Sequence, residues 1–158
     1  MPRIFFAHRQ LNGDTGHAAG RTLLAQLYGC HVGGPLPPIT VTALGKPYFE
    51  NSPWHFSVSH TKTHAFCVLC DCPVGVDGEA LTRRVNPALA EKVLSAGEKA
   101  QYDAAPEKDR AFLTFWVLKE ADAKRTGKGL GFHPTHTDFM LADPRVFECD
   151  GHLVAIVY

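Results

Sequence analysis

Runs in which apolar and polar residues alternate predict short β-strands near both ends of the chain. The predicted strands cover residues 3–7, 40–44, 55–59, 64–71, 74–77, 138–141, 146–149 and 152–157. A polar turn from Ser59 to Thr63 joins two of them, and Asp150-Gly151 is typical of the turn of a hairpin. The segment 29–53 is rich in glycine and proline and is predicted to be mostly loop.

Apolar residues three or four positions apart predict helices between these strands. The predicted helices cover residues 16–28, 87–94 and 107–126, and a further short helix begins at 95. Ser95 and Glu98 have the spacing of a capping box, which favours a structural role for Glu98 and leaves a role at the active site as the alternative. Gly127 is suited to the end of the longest helix. This order of strands and helices predicts an α+β fold.

The amino-acid composition excludes some broad classes of protein and indicates the cellular compartment. Sixteen lysines and arginines balance sixteen aspartates and glutamates, which argues against a dedicated nucleic-acid binder. Apolar runs are too short for a membrane span, and the N-terminus lacks a signal peptide, so a cytoplasmic protein is expected. An odd number of cysteines favours a reducing compartment. The five cysteines are Cys30, Cys67, Cys70, Cys72 and Cys149.

The sequence Asp77-Gly78-Glu79 places two carboxylates two residues apart. On an extended segment alternate side chains share a face, so both carboxylates can point into one site. Hard oxygen ligands suit Mg²⁺, which commonly binds one or two carboxylates together with substrate phosphates. A solvated acidic turn after a strand is the simpler interpretation of this triplet taken alone.

The longest predicted helix carries a second group of polar residues. Phe112, Trp116, Glu120 and Lys124 are four apart in succession and therefore form one stripe. Because the stripe begins with two aromatic residues, it is expected to be partly buried and to bring Glu120 and Lys124 to the edge of a core. An exposed Glu–Lys pair is the alternative, but it does not explain why this stripe occurs together with the first acidic motif.

These motifs together resemble the 4′-phosphopantetheinyl transferases of the surfactin-synthetase-activating type. The resemblance extends from about residue 17 to residue 139 and rests on several motifs in the family's order. They are His17–Leu24, Gly45-Lys46-Pro47, Phe56-Ser57-Val58-Ser59-His60-Thr61, Gly75-Val76-Asp77-x-Glu79, Trp116-x-x-Lys119-Glu120-x-x-x-Lys124 and Gly127-Lys128-Gly129-Leu130.

The resemblance implies an enzyme that transfers 4′-phosphopantetheine from coenzyme A to a serine of an apo acyl, polyketide or peptidyl carrier protein. It implies that Asp77, Glu79 and Glu120 hold Mg²⁺ against the pyrophosphate of coenzyme A. Glu120, or a metal-bound water beside it, would help to deprotonate the serine, and Lys124 would stabilise or protonate the departing 3′,5′-ADP. The residues implied to bind the nucleotide end of coenzyme A are Arg21, Lys46, Ser59 and His60.

The resemblance also implies an architecture. Two pseudo-symmetric halves, residues 1–72 and 73–158, would each place a long helix on a small antiparallel sheet, with coenzyme A in the cleft between them. Because the halves pair within one chain, a monomer is expected. Gly78 stands where the family usually has a bulky apolar residue, which predicts a looser pair of carboxylates around it.

Two other hypotheses compete with this one. Cys67, Cys70 and Cys72, with histidines nearby, offer soft ligands for a structural zinc ion. On a strand, however, Cys67 and Cys70 would face opposite sides, while Cys70 and Cys72 would share one. The other hypothesis is a non-catalytic module that binds a carrier protein or coenzyme A. It does not explain why both acidic motifs and Lys124 are present.

Overall fold

The computed structural model of the chain describes residues 1–129 and 134–158, so Leu130 of the glycine-rich motif lies outside the described part. In addition to a 3₁₀ turn at Pro134–His136, eight strands and four α-helices follow one another in this part of the chain. They are β1 (Ile4–Gln10), α1 (Gly16–His31), β2 (Ile39–Val41), β3 (Pro47–Phe49), β4 (His55–His60), β5 (His64–Cys70), β6 (Gly75–Ala80), α2 (Ala88–Val93), α3 (Ala96–Ala104), α4 (Lys108–Thr126), β7 (Val146–Cys149) and β8 (His152–Val157). The predicted α+β class is confirmed.

Two three-stranded antiparallel sheets form the centre of the molecule. The N-terminal sheet has the strand order β1-β5-β4, and the C-terminal sheet has the order β6-β8-β7. In both sheets the last strand in sequence is the central one. A separate hairpin, β2-β3, lies between α1 and β4 in the chain.

The two sheets lie between two helices in four layers. Leu24 of α1 belongs to the same apolar cluster as Cys67 and Leu69 of β5, while Leu118 of α4 shares another cluster with Ala155 of β8. A third apolar cluster fills the space between the sheets and includes residues of β5, β6 and β8. β5 is buried along its whole length because it is covered on both faces. The short helices α2 and α3 pack against the N-terminal part of α4.

β4 and β6 meet at the junction of the two sheets through serine hydroxyls. Ser57 Oγ accepts a hydrogen bond from the backbone N–H of Val76 over 3.1 Å, and Ser59 Oγ accepts one from Gly78 over 3.2 Å. At Gly78 an added Cβ would lie 2.6 Å from the ring of Phe66. The glycine therefore allows close packing of β6 on β5. The sequence-based interpretation of Gly78 as a source of looseness missed this contact.

Local sequence accounts for the ends of the helices. The side chain of Thr15 accepts a hydrogen bond from Ala18 N at the start of α1, and Ser95 and Glu98 form the predicted capping box of α3. α4 ends at Gly127, whose φ of +74° is a left-handed conformation that glycine adopts without strain. Among the described residues, no helix combines the length and apolar character needed to cross a membrane.

One strand prediction was wrong, and another had the wrong bounds. Residues 138–141 do not pair with a strand, because side chains of α3 bind their backbone: Glu98 accepts from Phe139 N and Gln101 accepts from Leu141 N. The strand predicted over 40–44 ends at Val41, where a turn leads to β3, which the sequence analysis did not predict. At residues 138–141 contacts remote in the sequence outweigh the local pattern, whereas at Val41 a local turn ends the strand, with Thr42 N–H donating to Lys46 O.

Candidate active site

Alternate residues of β6 point to opposite sides of the C-terminal sheet. Val76 faces the N-terminal sheet, whereas Asp77 and Glu79 face α4, as two-residue periodicity requires. The stripe on α4 runs alongside them, so that Trp116 meets Glu79 and Lys124 meets Asp77. Together they line a pocket of about 290 Å³, here called the acidic pocket, with Glu120 between the two contacts.

Asp77 is the most enclosed of the three acids. Its Oδ1 accepts hydrogen bonds from Lys124 Nζ over 2.8 Å and from Ser59 Oγ over 3.0 Å. Its Oδ2 is buried without a hydrogen-bond partner among the described residues. Burial raises the pKa of the Asp77 carboxyl, although Lys124 opposes the shift. The buried Oδ2 thus lacks a donor or a cation.

Glu79 is held through a single oxygen. Its Oε1 accepts a hydrogen bond from Trp116 Nε1 over 3.1 Å and also pairs with Arg83 Nη1. The guanidinium of Arg83 lies over the Trp116 ring, 5.5 Å from its centre. Burial raises the pKa of the Glu79 carboxyl, and the charge of Arg83 acts in the opposite direction.

Glu120 has no hydrogen-bond donor at its carboxylate among the described residues. Burial, followed by the negative charge of Asp77, raises the pKa of Glu120 to about 7, while Lys124 opposes the shift. A carboxyl with a pKa near neutrality can accept a proton under physiological conditions and release it again.

A second cavity adjoins the acidic pocket and has Glu120 and Lys124 in common with it. This lysine cavity, of about 280 Å³, is also lined by Lys46 and by the apolar side chains of Pro47 and Phe56. The Nζ of Lys46 donates to the backbone oxygen of Arg125 over 2.5 Å, near the carboxyl end of α4. Burial, together with the charge of Arg125, lowers the pKa of Lys46.

The other residues predicted to contact coenzyme A, Arg21, Ser59 and His60, lie in different parts of the site. Arg21 lies on α1 with its guanidinium 5.9 Å from the Phe56 ring, beside the lysine cavity. His60 lines the acidic pocket and packs closely on Gly16, where an added Cβ would clash with the imidazole ring. Ser59 is different: its buried hydroxyl donates to Asp77 and accepts from Gly78 N. Ser59 thus orients Asp77 while also lining the acidic pocket, and its predicted contact with coenzyme A stays a prediction.

A wide cleft of about 980 Å³ opens on the other side of the acidic pocket. Glu79 and His60 lie on the border of the two spaces, and Lys62 and Arg83 also line the cleft. The acidic pocket thus lies between a small cavity that contains lysines and a broad opening. A reaction in the pocket can therefore receive one reactant from each side.

The donor set of the acidic pocket fits Mg²⁺. Asp77, Glu79 and Glu120 supply hard carboxylate oxygens, and the unpaired buried Oδ2 of Asp77 is the kind of atom that a cation would satisfy. Among the described residues, the three carboxylates do not bring their oxygens within 4.8 Å of one another. Lys124 and Arg83 instead provide the positive charge next to them.

Two contacts of this site were not predicted from the sequence. Arg83 follows a tight turn in which its backbone N–H donates to Ala80 O over 2.9 Å, and this turn returns its side chain to Glu79. Trp116 was predicted to be a partly buried residue of the stripe, as it is, but the hydrogen bond from its indole N–H to Glu79 was not predicted. The four-residue spacing from Glu79 to Arg83 is the one local signal, and without the turn it indicates no contact.

The zinc hypothesis based on three cysteines is not supported as stated. Cys67 packs beneath α1, whereas Cys70 and Cys72 belong to the cluster between the sheets. This opposite orientation of Cys67 and Cys70 was predicted from strand periodicity. Burial also raises the pKa of the Cys67 thiol to about 12.

Comparison with known proteins identifies the family of this site. A family model described as the 4′-phosphopantetheinyl transferase superfamily matches residues 73–152, about half of the chain. The chain belongs to this superfamily. The matched region contains both acidic motifs and all of α4, and therefore Asp77, Glu79, Glu120 and Lys124.

Two curated transferases of this superfamily match parts of the chain. The 4′-phosphopantetheinyl transferase psf-1 of Bacillus pumilus is 36% identical over 91 residues, which are 56% of this chain and 39% of that protein. The 4′-phosphopantetheinyl transferase gsp of Aneurinibacillus migulanus is 31% identical over 88 residues, which are 54% of this chain and 36% of that protein. The match thus spans less than two fifths of the length of each relative.

Proposed function

We propose that this superfamily member transfers 4′-phosphopantetheine from coenzyme A to a serine of an apo carrier protein and releases 3′,5′-ADP. The observation that supports the proposal best is the convergence of Asp77, Glu79, Glu120 and Lys124 on one pocket between the lysine cavity and the wide cleft. Phosphoryl transfer depends mainly on positioning and on neutralising charge, which such a pocket can supply.

The lysine cavity is the proposed site of the nucleotide end of coenzyme A. Lys46 and Lys124 offer positive charge to phosphates, while Pro47 and Phe56 offer apolar surface to a base. Arg21, beside Phe56, and His60, at the border of the acidic pocket, would contribute further phosphate contacts. This arrangement directs the pyrophosphate of coenzyme A toward the three carboxylates.

Asp77, Glu79 and Glu120 are the residues that would hold Mg²⁺. When bound, Mg²⁺ would neutralise charge on the pyrophosphate and polarise the phosphoryl group. Ser59 would keep Asp77 in place through its hydroxyl, and Trp116 would do the same for Glu79. Buried partners of this kind orient metal ligands and commonly change affinity by about 10- to 100-fold.

The chemical step would use Glu120 and Lys124. As the serine Oγ forms its bond to the β-phosphorus of coenzyme A, Glu120 would accept the hydroxyl proton. The bond from that phosphorus to the bridging oxygen breaks, and 3′,5′-ADP leaves. Lys124 borders both the acidic pocket and the lysine cavity, where its ammonium would stabilise or protonate the leaving phosphate.

An in-line displacement requires the nucleophile and the leaving group to lie on opposite sides of phosphorus. If 3′,5′-ADP leaves on the side of the lysine cavity, the carrier serine enters from the wide cleft. The order of the strands and the helix on each sheet supports two pseudo-symmetric halves, residues 1–72 and 73–158, around this cleft. With both halves in one chain, a monomer is sufficient for activity.

Incubation with coenzyme A, Mg²⁺ and a panel of apo carrier proteins tests the proposal, with the carrier read by intact mass. The expected result is one phosphopantetheine added to at least one carrier, and no addition to any carrier at high enzyme concentration contradicts it. Asp77→Ala and Glu120→Gln should abolish transfer with the fold preserved. Glu50→Gln, at an exposed position outside the pocket, is the matched control and should keep the wild-type rate.

A further inference from the structure

A second cluster of metal-ligating side chains lies between the last strand of the N-terminal sheet and the first strand of the C-terminal sheet. The sulfur atoms of Cys70 and Cys72 are 3.2 Å apart. With a carboxylate oxygen of Asp71, they bring three ligand atoms within 4.8 Å of one another. None of these residues belongs to the acidic pocket or to the cavities beside it.

We propose that Cys70, Asp71 and Cys72 form a binding site for a thiophilic divalent metal ion such as Zn²⁺ or Cd²⁺. Two sulfurs that share a tetrahedral zinc ion at about 2.3 Å lie about 3.8 Å from each other. The observed separation is slightly shorter, so an increase of about half an ångström would admit the ion. Soft thiolate ligands select this class of metal and disfavour Mg²⁺.

The protein already holds the three ligands close together. Cys70 is fixed in β5, where it pairs with Ile4 of β1 and His55 of β4. Asp71 accepts two hydrogen bonds from Arg3, one from the backbone N–H and one from Nε, both over 3.0 Å. Pro73 restricts the backbone conformation of Cys72, which precedes it. Little conformational entropy therefore remains to be lost when a metal binds.

The surroundings of the cluster indicate an exchangeable ion. Cys70 is fully buried among apolar residues, whereas Asp71 and Cys72 are partly exposed, so an ion can enter from solvent. Three ligands from the protein leave one tetrahedral position for water or a small thiol. Structural zinc sites are usually closed by four protein ligands, so this site is expected to exchange its metal.

Titration of the full chain with Cd²⁺, after reduction by a phosphine, tests the proposal. Binding should give a thiolate-to-cadmium charge-transfer band that saturates at one equivalent and persists in excess Mg²⁺. Cys72→Ser should lose this band, and Asp71→Asn should weaken binding about tenfold. Cys30→Ser removes an exposed thiol elsewhere and should leave the titration unchanged.

Two results would overturn the assignment. One is the absence of the band in the wild-type chain. The other is a full band at one equivalent in Cys72→Ser, which would place the site at other thiols. Cys70→Ser alters a buried position and can impair folding, so Cys72→Ser, at a partly exposed position, carries the test. Circular dichroism of each variant confirms that the fold is retained.

Discussion

Lys124 donates a hydrogen bond to Asp77 Oδ1 over 2.8 Å, and these two residues lie 47 positions apart in the chain. The Lys124 side chain keeps 31% of its exposure, whereas the Asp77 side chain keeps 8%. Lys124 is therefore the cation that accompanies a nearly buried carboxylate. The same hydrogen bond links α4 to β6. It also places a positive charge at the boundary of the acidic pocket and the lysine cavity.

We expect Lys124→Met to lower the free energy of unfolding by about 1–3 kcal/mol, because it leaves Asp77 buried without its charged donor. Urea denaturation at neutral pH measures the change. Adding Asp77→Asn to this variant should recover part of the loss, since the uncompensated charge is then removed. If the double variant is less stable than the single variant, the charge pair is not the source of the effect.

We expect Trp116→Phe to weaken metal binding at the acidic pocket more than it weakens the fold. The change removes the indole donor to Glu79 Oε1 but keeps an aromatic ring next to Phe112. Loss of one hydrogen bond to a carboxylate costs about 1.5–3 kcal/mol at most. Mn²⁺ binding, followed by electron paramagnetic resonance on the free protein, should show a lower affinity. Unchanged Mn²⁺ affinity would contradict the role given to Trp116.

Glu120 should make the stability of the metal-free protein depend on pH. Its pKa is about 7 in the folded chain against an ordinary value of 4.5, so the folded state binds the proton more tightly than the unfolded state. The resulting stabilisation is full below pH 4.5 and is lost as the pH rises through about 7. Glu120→Gln should therefore be more stable than the wild type at pH 8, with a higher midpoint of urea denaturation. At pH 4 the difference between the two proteins should be smaller. Measurements in a chelator keep metal from masking the difference.

His64 should have the opposite effect on the pH dependence of stability, because it destabilises the fold as the pH falls. Burial, followed by the charges of His152 and His8, lowers its pKa from 6.5, although Asp150 opposes the shift. The folded state therefore favours neutral His64, and stability should fall as the pH drops below about 6.5. Thermal unfolding between pH 7 and pH 5 should be less dependent on pH in His64→Gln. His17→Gln, at an exposed position, is the matched control.

The buried pair Glu98–Lys119 should be important for stability. Glu98 Oε2 lies 2.8 Å from Lys119 Nζ, both side chains are almost fully buried, and Glu98 Oε1 accepts from Phe139 N. Glu98→Gln leaves the lysine charge without its carboxylate and should cost about 3–5 kcal/mol. Urea denaturation measures the loss. If adding Lys119→Met to Glu98→Gln recovers none of the lost free energy of unfolding, the broken charge pair is not the cause of the loss.

At this site the sequence was enough to predict the residue types and the face of the helix or strand on which each one lies. Helix periodicity places Trp116, Glu120 and Lys124 on one stripe, and strand periodicity places Asp77 and Glu79 on one face. Both patterns follow from bonds and dihedral angles of neighbouring residues, so they do not depend on the rest of the fold. The same geometry correctly placed Cys67 and Cys70 on opposite faces of β5.

Partners remote in the chain were decided only by the tertiary structure. Ser59 binds Asp77, Trp116 donates to Glu79, and Glu98 holds residues 138–141 out of a sheet, because packing brings these groups together. A buried polar atom takes whichever partner the fold places within reach, and sequence spacing does not encode that distance. The residue types and their periodicity thus came from the sequence, while the pairing of each carboxylate depended on the packing of the two sheets and α4.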